Sequence, residues 1–200
     1  MQIDPNGKAL QGMTTFLAFV ALNVLYLLTC IPIVTIGAAT SALYEVTIRY
    51  ADDESGRPLK DYFPSFGRNF RRASLLSLFL LVPFAVLVFS AIFWWSHPSA
   101  AGAAAGAVAA IAAAYAFIAW MYAMALTAWF DARPTRTLKN ALLLPGAEPA
   151  RTFGIVLIPI ALVCITLLFP AFGVILATVG FSVGAYATAF LFRSVFARHL

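Results

Sequence analysis

Two hundred residues with 62% hydrophobic side chains, 10% charged ones and a mean hydropathy of +0.91 exclude a soluble globular domain, whose surface needs far more polar side chains. A net charge of +5 would point to nucleic acid in a soluble protein, but in so apolar a chain it is explained by membrane topology and anionic lipid headgroups, so no nucleic acid is expected. The expected fold is all-α, a polytopic transmembrane bundle forming a single domain over residues 1–200.

The opening stretch MQIDPNGKAL has no basic region running into a short apolar core and a small-residue cleavage site, so the first apolar run is expected to be retained as a span. Crossing ~30 Å of hydrocarbon takes about 20 helical residues. Five runs are candidates, at about 14–36, 74–95, 102–130, 153–169 and 171–192, the fourth of them short. Pro32 and Gly37 disturb the far end of the first, and residues 32–48 can instead fold back as a helix of their own. Pro83 and Pro159 each remove a backbone donor and predict kinks.

Six Lys and Arg residues lie between the first two spans, four between the third and fourth, and two in the tail. Twelve of thirteen therefore fall on one side, with Lys8 alone on the other. That side is expected to be cytoplasmic, which with five crossings sets the amino terminus outside and the carboxyl terminus inside. If 32–48 folds back, the amino terminus moves inside and the other assignments stand.

The densest basic stretch, PLKDYFPSFGRNFRRAS from Pro58 to Ser74, leads into the second span. On a helix, Phe63, Phe66, Phe70 and Ala73 share one face while Arg68, Arg71 and Arg72 point elsewhere. Pro64 is expected in the first turn after Asp61 as a cap. The expectation is an amphipathic cytoplasmic helix in the membrane interface, with Phe63, Phe66, Arg68, Asn69, Phe70, Arg71 and Arg72 offered to lipid or to a partner.

Small residues mark two helix faces, Gly102, Gly106, Ala109 and Ala113 in the third span and Gly173, Ala177, Gly180 and Gly184 in the fifth. Such faces allow close helix approach, either within one chain or between two copies. An ion-coupled transporter needs an acidic residue or His within the membrane, and the five spans contain none. Asn23, Tyr26, Tyr115 and Tyr186 would form an intramembrane polar site if they converged on one cavity. The chain shows no nucleophile, metal-ligand pair or phosphate loop near His97 or His199, so no enzyme, metal or cofactor is expected. Glu45 and Asp131, at span ends, are the nearest acids to a catalytic role. Cys30 and Cys164 read as small buried hydrophobes and not as a disulfide.

Two stretches carry a resemblance. Pro32, Thr35, Gly37, Ala39 and Thr40 stand in a Pro-x-x-Thr-x-Gly-x-Ala-Thr turn, and Phe63, Phe66, Asn69 and Phe70 in a Phe-x-x-Phe-x-x-Asn-Phe segment entering the second span. Both, with the ending GFSVGAYATAFLFRSVFARH, resemble the YesL family of bacterial membrane proteins, a domain of unknown function. The resemblance implies a multi-pass protein of the bacterial inner membrane with an accessory or regulatory role in carbohydrate uptake, beside a carbohydrate ABC transporter or a sensor component. A small-solute transporter or channel subunit acting as an oligomer is the rival reading.

Overall fold

The computed structural model describes residues 8–52 and 57–199, with side chains described from residue 12 to residue 198 of those segments. The chain folds into α1 (Lys8–Cys30), α2 (Ile36–Asp52), α3 (Pro58–Trp95), α4 (Ala100–Trp129), α5 (Pro134–Ala147), α6 (Pro149–Leu168), α7 (Phe172–Ile175) and α8 (Phe181–His199). A 3-10 turn, Ile33–Thr35, joins α1 to α2, and a π turn, Leu176–Gly180, joins α7 to α8. The described residues contain no strand. Five stretches are long and apolar enough to cross a membrane: Gly12–Cys30, Pro58–Trp95, Ala100–Trp129, Pro149–Leu168 and Phe172–Arg198.

The first apolar run is not one helix over 14–36. Proline disfavours helical backbone in the residue before it, and α1 ends at Cys30, two residues short of Pro32. Pro32 itself is extended (φ −75°, ψ 122°), and the Thr35 hydroxyl lies 2.5 and 2.6 Å from the Thr29 and Pro32 carbonyls, filling acceptors left open where α1 stops. Residues from Ile36 onward then form α2, which runs back along α1: Thr15 meets Tyr50 at 3.3 Å and Tyr26 meets Thr40 at 3.4 Å. The beginning of α1 and the end of α2 consequently lie at the same end of the bundle.

α2 is the central element, buried without interruption from Gly37 to Ile48. Its start presses on α3, and a Cβ added at Gly37 would stand 2.5 Å from the Ala73 carbonyl oxygen and collide with the Ser77 side chain. Only glycine permits that approach, which is the small-residue packing that helices in lipid depend on.

The basic stretch is not a separate interfacial helix. It forms the first half of α3, a continuous helix of 38 residues, about 57 Å long at 1.5 Å per residue. Pro58, not Pro64, fills the proline-tolerant first turn behind Arg57, so Pro64 sits inside the helix together with Pro83. Tyr62, Ser65, Asn69 and Ala73 face inward, Phe63 and Phe70 face outward, and Phe66 is half-buried between them. Ala73 thus leaves the phenylalanine face for the contact with Gly37.

Past the turn at 96–99, the Ser99 hydroxyl accepts the Gly102 N–H at 3.0 Å and starts α4. Gly102, Gly106, Ala109 and Ala113 are all buried within the chain, and Gly106 admits the indole of Trp95. The second small face serves two partners: Gly184 packs under Leu162 of α6, while the Ala177 carbonyl is turned toward α1. Asn23, with no exposed surface, donates to the carbonyls of Leu176 (3.3 Å) and Ala177 (2.7 Å) and accepts the Ser182 N–H (3.0 Å). A π turn widens the helical spacing, and here one amide side chain satisfies the groups it displaces. The outer face of α3 (Leu75, Leu78, Phe79, Val82, Val86, Phe89) and that of α6 (Leu157, Ile160, Val163, Leu167) stay exposed as an apolar belt.

Candidate binding site at the basic end

The end of α4 needs partners, because the last carbonyls of a helix have no intrahelical donor. Arg72 supplies them: its guanidinium donates to the carbonyls of Thr127 (2.8 Å), Phe130 (3.0 Å) and Ala132 (3.0 Å) and to the Asp131 carboxylate (2.6 Å). This side chain, 17% exposed, fastens α3 to the start of the α4–α5 connection.

One turn back on α3, Arg68 and Asn69 meet α2. Glu45 is 4% exposed, and a lone carboxylate so deep would be costly. It accepts from Arg49, one turn along α2, and from Arg68 on one oxygen, and from Asn69 Nδ2 at 2.8 Å on the other. The two arginines remain about half exposed, so the cluster has a sealed acidic centre and a wet basic rim.

Between these two anchors lies a cavity of about 660 Å³ lined by Glu45, Arg49, Arg68, Arg71, Arg72 and Asp131 together with Leu75 and the end of α4. Four guanidiniums face two carboxylates there. Arg71 is exposed and makes no ion pair or hydrogen bond with any described residue.

Other ion pairs gather at the same end. Asp52 pairs with Arg193, and Glu148 with Arg151 and Arg198. At the cap of α5 and along it, the exposed Arg133, Arg136 and Lys139 recur every three residues with no ion pair among the described residues, while Thr137, Ala141, Leu144 and Pro145 face inward. Arg68, Asn69, Arg71 and Arg72 border one cavity with Asp131 and Pro134, so the two basic connections lie on the same side of the bundle, in keeping with the charge count in the sequence.

Of the seven residues read from sequence as facing lipid or a partner, Phe63, Phe70 and Arg71 are exposed, Phe66 is half-buried, and Arg68 divides its donors between Glu45 and solvent. Asn69 and Arg72 are turned inward as structural ties. The periodicity of α3 places Arg68 and Arg72 beside its buried face, but nothing in the sequence announces that Glu45 and the end of α4 wait there. Glu45 and Asp131 stand at span ends as expected, each engaged by arginine.

The four intramembrane polar residues are dispersed. Asn23 binds the π turn, and Tyr115 donates to the Leu142 carbonyl of α5. Tyr186 stacks edge-on with Phe19, Tyr50 and Phe190. Tyr26 alone borders the central apolar cavity of about 260 Å³, with Thr40, Phe117, Trp120 and Thr188. Cys30 and Cys164 are separate free thiols, Cys30 half-buried and Cys164 exposed on α6. The described residues contain no cluster of His, Cys, Asp and Glu able to hold a metal.

Apolar crossing helices around a polar, ion-paired end define a multi-pass α-helical membrane protein. Residues 19–91 match the model of a family described as a protein of unknown function, DUF624. The matched stretch runs from α1 through α2 into the lipid-facing part of α3, so it carries Glu45, Arg49, Arg68, Asn69, Arg71 and Arg72, whereas Asp131 and α5 lie outside it. No curated protein and no solved structure matches the chain.

Proposed function

We propose that the protein works by interaction and not by catalysis or conduction, as an accessory or regulatory partner in bacterial carbohydrate uptake. It docks an acidic cytoplasmic surface, on a carbohydrate ABC transporter or its sensor, against α5. The observation that carries this reading is the exposed row Arg133, Arg136 and Lys139, uncompensated by any described carboxylate. Such a row steers and selects an acidic partner. The carbohydrate setting comes from the resemblance to the YesL family.

Positive residues concentrate on the cytoplasmic side of membrane proteins, which assigns the basic end to that side. Because α2 returns along α1, this reading brings the start of α1 and the end of α8 to the cytoplasmic face, in place of the external amino terminus expected from five crossings. The rival reading, a transporter or channel, draws less support, since Asn23, Tyr115 and Tyr186 are engaged in separate helix contacts. For catalysis, Glu45 is held by two guanidiniums and Asp131 by a third.

The test is crosslinking in native membranes with the Arg136→Ala/Lys139→Ala variant. Recovery of the crosslinked partner is expected to fall about tenfold, as loss of two interfacial charges allows, while membrane insertion is unchanged. Undiminished recovery overturns the proposal.

A further inference from the structure

The polar cavity beside Glu45 has an apolar neighbour on α3. A second, apolar groove of about 590 Å³ runs up the outer face of α3 from Phe70 to Ala85, walled by Ile33 and Val34 of the α1–α2 turn. Arg71 and Leu75 line both spaces. The two adjoin at these side chains, as a channel with a cationic mouth and a hydrocarbon tail would, and Arg71 stands at the junction with no partner among the described residues.

The dimensions and the surroundings select the occupant. From Phe70 to Ala85 the helix rises about 22 Å, more than the roughly 15 Å that one leaflet's acyl chain spans in a 30 Å hydrocarbon core. The groove wall is largely hydrocarbon, with Val34, Leu78 and Val82 exposed and the hydroxyls of Ser74 and Ser77 as its polar interruptions, so it matches an acyl chain better than a peptide rich in acidic side chains. A guanidinium at headgroup level matches a phosphodiester through paired N–H donors. Arg68, three residues away on the same helix, keeps about half of its side chain exposed beside Glu45 and can add a second cation.

We propose that this channel is a specific site for one anionic phospholipid, its phosphate held by Arg71 with help from Arg68 and one acyl chain laid along α3 past Leu78 and Val82. The bound lipid covers the seam between α3 and the α1–α2 turn, and the groove that holds its acyl chain is lined by no residue of α5. The site is thus independent of the partner proposed above.

Native mass spectrometry of the full chain, extracted from nanodiscs holding equal phosphatidylglycerol and phosphatidylcholine, tests the assignment. The wild type is expected to retain one phosphatidylglycerol. Arg71→Ala is expected to lower that retention about fivefold, in line with one lost cation near the headgroup, and Val82→Trp, which fills the groove, to lower it as well. Arg136→Ala removes the same charge from α5 and is expected to leave retention unchanged. Equal losses from Arg71→Ala and Arg136→Ala would reduce the effect to general surface charge and overturn the site. Equal retention of phosphatidylcholine would overturn the role of net charge, and displacement by glycerol phosphate as effective as that by the whole lipid would overturn the role of the groove.

Discussion

α2 and α6 are close in length and opposite in placement. α2, IGAATSALYEVTIRYAD, is rich in small and polar residues and is enclosed by its neighbours from Gly37 to Ile48. α6, PARTFGIVLIPIALVCITLL, has a mean hydropathy of 2.3 over its most apolar window, yet only Thr152 and Ile155 are buried. In water the more apolar helix would be the inner one. Lipid tails are as apolar as leucine, so greasy side chains gain nothing by hiding from them, and the interior goes to the helix with small side chains and satisfied polar groups. Hydropathy in this chain therefore reports contact with lipid, while tight packing and internal hydrogen bonds mark the core.

That contrast can be broken at its strongest point. Gly37→Ala sets a methyl against the Ala73 carbonyl, where backbone must move, and a loss of about 3 kcal/mol or of folded protein altogether is expected. Gly146→Ala, at a glycine with open space around it, should leave the melting temperature in detergent within a degree or two of wild type. If both changes are equally tolerated, α2 does not press on α3 as described.

A smaller effect follows at the polar end of α2. Glu45→Ala leaves Asn69 without its carboxylate partner and turns Arg49 and Arg68 against each other, which should cost about 2 kcal/mol; their half exposure keeps the figure below that for a sealed ion pair. Glu45→Gln keeps an acceptor for Asn69 and should recover part of the loss in the same thermal assay. No difference between the two variants would remove the hydrogen bond from the account. The smallest change is expected on α6, where Leu167→Ala trims a side chain 76% exposed to the lipid belt and should shift stability by no more than about 0.5 kcal/mol.

The amino-acid sequence by itself determined the class, the five long apolar helices and the gathering of basic residues at one side, because those follow from length, hydropathy and charge counted along the chain. It also held the small faces of α4 and of the stretch from α7 into α8 in plain view, though not their partners. Only the tertiary structure decided that 36–52 is a returning helix at the centre, that Pro58 and not Pro64 opens α3, and that Arg72 closes the end of α4 while Arg71 pairs with none of the described residues. A buried carboxylate such as Glu45 is readable as core only once the residues that neutralise it, 4 and 23 to 24 positions away, are seen to meet it in space.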